Sequence, residues 1–181
     1  ETDRAVGYWK TRGLDFSGIL CLPEDLLGRK QEGPMARRCV EIQDHGVSEV
    51  LDRELIELAK EALDSGKPVE IERAIRNVNR TTGAMLSGEI ARRYGFQGLP
   101  DGTITCRFHG AAGQSFGAFG AHGLTLVLEG EANDYVGKGL SGARIILKPY
   151  PGIDFDPAEN IIAGNVILYG ATAGSVYING M

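Results

Sequence analysis

Cysteine is scarce in this chain of 181 residues, with Cys21, Cys39 and Cys106 its only three. An odd, widely scattered set is the usage of a reduced compartment, not of a disulfide framework. No apolar run approaches the ~18 residues of a membrane-spanning helix. Basic charge is not in excess. The formal net charge of −5 argues against non-specific binding to nucleic acid or to an anionic membrane. Prolines number only 7, and the 26 glycines follow no Gly-X-Y period, which excludes collagen. An initiator Met and a signal-peptide pattern are both lacking. The sequence opens on Glu1 and stops inside a glycine-rich pattern at Asn179-Gly180-Met181, so it reads as a fragment of a longer polypeptide.

What is present divides unevenly. Residues 1–90 hold 30 charged residues and 9 glycines, whereas residues 110–181 hold 9 charged residues and 14 glycines. Two kinds of architecture are expected, meeting within 95–110. Residues 1–50 read as an irregular linker segment, punctuated by Gly7, Gly13, Gly18, Pro23, Gly28, Gly33 and Pro34. Residues 51–95 read as a helix–strand–helix cap. Leu51, Leu55, Leu58, Ala59 and Ala62 repeat at helical spacing, with Asp52 or Ser48 as N-cap. Gly66 suits a left-handed C-terminal cap, and Pro68 forbids continuation. Val69–Thr81 has strand character, and Ser87–Arg93 suits a short helix ending at Gly95.

Residues 96–181 carry a repeat in which a small residue and a glycine lead into a short β-rich run. The runs are 124–128, 145–147, 166–169 and 176–178, and their lead glycines, Gly123, Gly142, Gly164 and Gly174, are 19, 22 and 10 residues apart. Rungs this short are unstable alone and stack on their neighbours. The pattern therefore predicts a mainly β fold, a right-handed parallel β-helix truncated at its C-terminal end, with the N-terminal helical segment over one open end. A β-sandwich is the rival, disfavoured by the near absence of hairpin dipeptides before residue 179.

Candidate motifs have structural readings beside them. Gly137-Lys138-Gly139-Leu140-Ser141-Gly142 spells G-x-G-x-x-G, but a dinucleotide fold needs a helix next. Here Ala143–Lys148 reads as a strand stopped by Pro149, so a tight corner is the expectation and a nucleotide site the alternative. Cys106, His109 and His122 are too few for a metal centre, and a strand over 103–108 would send Cys106 and His109 to opposite faces. Cys21 or Cys39 with His45 shows no local signature of a nucleophile. Glu129 with Glu131 and Asp154 with Asp156 read as solvated acids. Arg37-Arg38 and Arg92-Arg93 read as solvated or interface pairs. Gly110–Gly120 lacks the G-K-[ST] of a phosphate loop, so Phe116 and Phe119 are expected to pack between rungs and Gln114 and Ser115 to bond turn backbone. No catalytic, cofactor-binding or metal-binding residue is expected.

Taken together and in order, four stretches resemble the glutamate synthase large-subunit family. They are Ile75-Arg76-Asn77-Val78-Asn79-Arg80-Thr81-Thr82-Gly83-Ala84-Met85-Leu86-Ser87-Gly88-Glu89-Ile90, Gly113–Phe119, Asn133–Gly142 and Gly164–Thr172. The likeness is strong over about 48–181 and weaker over 1–45. It implies a C-terminal GXGXG β-helix domain, packed as a non-catalytic scaffold against amidotransferase and flavin domains of the same polypeptide. Such a parent makes two L-glutamates from L-glutamine and 2-oxoglutarate, using FMN and a 3Fe–4S cluster held outside this chain. An electron-donating subunit and a cytoplasmic or plastid-stromal setting are implied as well. Related domains occur as separate subunits of archaeal-type glutamate synthases and in formylmethanofuran dehydrogenase, so a stand-alone assembly subunit is the alternative. The side bearing Asn77, Arg80 and Gln114 is the expected interface.

Overall fold

The computed structural model describes residues 7–15 and 42–181. The chain divides into two compact units, Glu1–Asp44 and His45–Met181. Within the first, residues 7–13 form turns; Thr11 Oγ1 donates to the Tyr8 carbonyl at 2.8 Å, and Lys10 Nζ stands 5.4 Å over the Trp9 ring.

The second unit begins with α1 (Leu51–Leu58) and α2 (Lys60–Ser65), separated at Ala59. Leu55, Ala59 and Ala62 are fully buried, as their spacing requires. Gly66 ends α2 in the left-handed conformation (φ 71°), and its amide donates to the Ala62 carbonyl at 2.8 Å. Strand β1 (Val69–Ile75) follows, shorter than the expected 69–81, because the backbone turns at Asn77 and Val78. Helix α3 (Ala84–Tyr94) starts three residues before the expected helix and stops at Gly95. Four more strands complete the unit: β2 (Ile104–Ala112), β3 (Leu124–Ala132), β4 (Ser141–Lys148) and β5 (Ala173–Ile178).

These strands overturn the β-helix expectation. They form one open, all-parallel sheet in the order β1-β2-β3-β4-β5, and with α1–α3 the unit is an α/β fold. The glycine repeat does mark a structural period, but Gly123, Gly142 and Gly174 each lead one strand and Gly164 leads a turn, so the strands build a single sheet. Leu55, Ala59, Leu86 and Ile90 of the helical segments share one apolar cluster with the sheet. The run 166–169 is also not a strand. It is a turn, with Val166 and Leu168 both at φ 61°.

Register fixes the two faces of the sheet. Ile71, Cys106, Leu126, Ile145 and Val176 lie side by side on the core face. Glu72, Arg107, Val127, Ile146 and Tyr177 form a row on the other face. The turns joining the strands fold back over the core face: a Cβ at Gly117 would stand 2.4 Å from Ile145 Cδ1.

Candidate functional site

The turns after β2, β3 and β4 share one backbone pattern. Ser115, Gly117 and Phe119 have positive φ, as do Tyr135, Gly137 and Gly139, and Val166, Leu168 and Gly170. Left-handed backbone costs a non-glycine residue about 1–2 kcal/mol, so the surroundings must enforce it. Hydrogen bonds between successive turns do so. The Ser115 amide donates to the Asp134 carbonyl (2.8 Å) and the Tyr135 amide to the Asn165 carbonyl (3.1 Å). In the reverse sense, the Gly137 amide donates to Phe116 (2.9 Å) and the Leu168 amide to Val136 (2.8 Å). The three turns are thus stacked in register, much as the strands are.

This stacking decides the G-x-G-x-x-G question. The Gly137, Lys138, Gly139, Leu140 and Ser141 amides all donate to backbone carbonyls, so they are not free to cradle a phosphate. The stretch leads into β4, not a helix. At Gly139 a Cβ would meet the Phe119 ring at 2.7 Å, and at Gly142 it would meet the His122 ring at 2.4 Å. These glycines serve close packing, and the loop does not fit the phosphate of FMN or of a dinucleotide.

The thiols fit a cluster no better. Iron–sulfur ligation takes several thiolates together. Among the described residues the one cysteine is Cys106, wholly buried on the core face, and burial foremost, with the nearby Asp52 charge, pushes its thiol up to about 12. Cys21, Cys39 and the pair Arg37-Arg38 lie outside the described residues. His45 is exposed.

His109 lies on the opposite face from Cys106, inside a ladder of charge. Its Nε2 is 2.9 Å from Glu72 Oε1 and its Nδ1 is 3.0 Å from Glu129 Oε2, while Lys148 Nζ reaches Glu129 Oε1 at 2.6 Å. The Lys148 ammonium, first of all, holds the Glu129 carboxyl below its usual range. Glu131, Asp154 and Asp156 are exposed, and Asp156 Oδ1 accepts from the Ala158 amide. Arg92 and Arg93 are spent on Glu89 and Asp64. His122 lies apart, its ring edge-on to Phe96. Phe116 packs as expected, T-shaped on Phe108 with centroids 5.7 Å apart, whereas Phe119 is exposed, since its turn points it outward.

Asp52, expected as the N-cap of its own helix, caps another. Asp52 does not cap its own helix; α1 has Val50 at its N-cap position with no side-chain bond. Buried Asp52 instead accepts from the Gly83, Met85 and Leu86 amides at 2.8, 2.7 and 3.3 Å, capping α3. Burial raises its carboxyl above the usual value, and those three amide bonds oppose the rise. A partner more than thirty positions away leaves no signal in a local window.

Beside this cap lies a cleft of about 400 Å³ between the segment 46–52 and the β1–α3 loop. Its rim carries Asn79 and Arg80. Asn77 accepts a hydrogen bond from Asn133 Nδ2, which ties the loop to the turn after β3, and Gln114 lies in the turn after β2, where its carbonyl accepts from the Thr81 amide. The residues expected at an interface, Asn77, Arg80 and Gln114, thus fall on successive stacked turns.

A family model described as the GXGXG motif matches residues 52–181. The chain belongs to the GXGXG family of glutamate synthase large chains. It is 44% identical over 180 residues to the glutamate synthase [NADPH] large chain of Bacillus subtilis, covering 99% of this chain and 11% of that protein. It is 52% identical over 139 residues to the glutamate synthase [NADH] of Schizosaccharomyces pombe, covering 77% of this chain and 7% of that one. Ferredoxin-dependent glutamate synthase 2 of Synechocystis is 57% identical over 104 residues, 58% of this chain and 7% of its own length. The chain therefore spans about a tenth or less of each of these relatives. No helix among the described residues is long and apolar enough to cross a membrane.

Proposed function

We propose that this GXGXG domain is a non-catalytic scaffold of a glutamate synthase, holding amidotransferase and flavin domains in fixed arrangement while the parent forms two L-glutamates from L-glutamine and 2-oxoglutarate. The observation that carries this reading is a doubled hydrogen-bond ladder: β2 pairs with β3 and β3 with β4, and the turns that follow these strands bond one to the next.

That construction is rigid. Strands and turns are both hydrogen-bonded from one repeat to the next, so a hinge within the layers would break two ladders at once. The chemistry-bearing side chains have structural work: Asp52 caps a helix, His109 bridges carboxylates, and Cys106 fills the core.

The test is made in a full-length glutamate synthase carrying this domain. Tyr177→Lys, which places a charge beside Ile146 on the outward face of the sheet, should raise glutamine hydrolysis relative to glutamate formation severalfold while FMN content stays unchanged. Intact coupling in a correctly assembled variant would overturn the scaffold reading. So would a variant that loses flavin reduction alone, since that would place the domain in the chemistry.

A further inference from the structure

The loop from β1 to α3 has a composition unlike the rest of the unit's surface. Val78 stands at its tip, 79% exposed. Arg76 and Arg80 flank it, both exposed, and neither guanidinium has a hydrogen-bond or ion-pair partner among the described residues. Arg73, Arg92, Arg93 and Arg144 are engaged, with Glu54, Glu89, Asp64 and Asp101, whereas Arg107, also without a partner among the described residues, stands on the outward face of β2, away from the loop. The loop is also held in place. Asn79 Oδ1 accepts from the Arg76 amide at 2.8 Å, the Asn79 amide donates to the Arg76 carbonyl at 2.8 Å, and Asn77 is bonded to Asn133. Beneath Val78 lies the cleft of about 400 Å³, whose walls include Val47, Val50, Leu51, Ala84 and Met85.

We infer that this loop and cleft are a docking site for an acidic protein segment, one whose carboxylates flank a single apolar side chain. The apolar side chain enters the cleft beside Val78, and the carboxylates pair with Arg76 and Arg80. Arginine forks bind carboxylates bidentately, and a fixed loop loses little entropy on engagement. Arginines and a side chain buried in a pocket are among the groups that carry most of an interface's binding energy. Glu49 and Asp52 also line the cleft, but the Asp52 carboxylate is occupied by three amides, and Arg76, Arg80 and Arg53, whose Nε donates to the Val47 carbonyl, outnumber the acids. The inference stands independently of the scaffold reading, which rests on the paired strands and stacked turns.

The 181-residue chain, labelled with 15N, is titrated with a capped synthetic peptide of sequence Asp-Glu-Leu-Glu-Asp, and with its neutral counterpart Asn-Gln-Leu-Gln-Asn. Binding of the acidic peptide should shift the amides of 76–80, Val47, Val50 and Met85, weaken with added salt, and fall at least tenfold in an Arg76→Glu/Arg80→Glu variant. Arg76→Gln/Arg80→Gln should give an intermediate loss, and either variant's unshifted amides elsewhere report an intact fold. The inference is overturned if millimolar acidic peptide shifts none of these amides, if the neutral peptide binds as well, or if charge reversal leaves the affinity unchanged. Sedimentation showing a peptide-free dimer dissolved by the same double reversal would also overturn it, in favour of a second copy as the occupant.

Discussion

The carboxylate of Asp52 in α1 accepts a hydrogen bond from the Met85 amide, 33 positions along the chain, at 2.7 Å. Two further amides of the same helix start share that carboxylate. Replacing it with Ala strands three donors at a buried helix N-terminus. A cap is worth about 0.5–2 kcal/mol and a buried unsatisfied donor about 1–3 kcal/mol. Asp52→Ala should therefore lower the unfolding free energy by about 3 kcal/mol. Asp52→Asn, which keeps one acceptor, should lose about half as much. Urea denaturation followed by circular dichroism measures both.

Acid should act on Asp52 and Glu129 in opposite senses. Asp52 has a folded pKa raised by burial, so the folded state holds its proton more tightly than the unfolded chain does. Its contribution to stability falls as pH rises from the ordinary carboxyl value of 3.8 through the raised one. Glu129 is lowered, chiefly by Lys148, so its contribution is present above 4.5 and is lost as pH falls through the lower folded value. Glu129→Gln should flatten the acid limb of a stability–pH profile below 4.5, while Asp52→Asn should remove a decline above 3.8. Denaturation midpoints at half-unit pH steps would distinguish the two, and limbs moving in the same direction would contradict these assignments.

Cys106 should be inert in the native state. With its thiol pushed up to about 12, only about one molecule in ten thousand carries the thiolate at pH 8. In a Cys21→Ser/Cys39→Ser background, a disulfide reagent such as DTNB should label no thiol within an hour and one thiol in denaturant.

Much of the fold was legible because it depends on local chemistry. Gly66 closes α2 where the sequence placed a left-handed cap, and the lead residues Gly123 and Gly142 stand at the starts of β3 and β4. What was not legible depends on layers meeting. Val166 and Leu168 have the side chains of a strand, yet a row of hydrogen bonds to the preceding turn holds them left-handed. The β-helix was misread for the same reason, since sequence spacing gives a period but not how many strands each period contains. At the candidate site, Arg80 and Asn77 were singled out by family likeness, whereas the cleft and the Asp52 cap exist only once α1 packs against α3.

Glycine substitutions separate close approach from backbone preference. A Cβ at Gly130 would stand 1.9 Å from the Gly110 carbonyl oxygen, at φ 149°, between adjacent central strands. No side-chain adjustment relieves a clash with backbone, so β2 and β3 must part. Gly130→Ala should cost more than about 3 kcal/mol, beyond the usual range for a single substitution. Gly88 sits inside α3 with nothing within 4 Å of its added Cβ. Gly88→Ala should stabilise the chain by about 0.5–1 kcal/mol, the ordinary helix-propensity gain. Gly66 is left-handed but unobstructed, so Gly66→Ala should fall between, at about 1 kcal/mol of loss. Thermal melts of the three variants should rank Gly88→Ala above the parent, then Gly66→Ala, then Gly130→Ala. A Gly130→Ala protein as stable as Gly66→Ala would mean that β2 and β3 are not held at the spacing described.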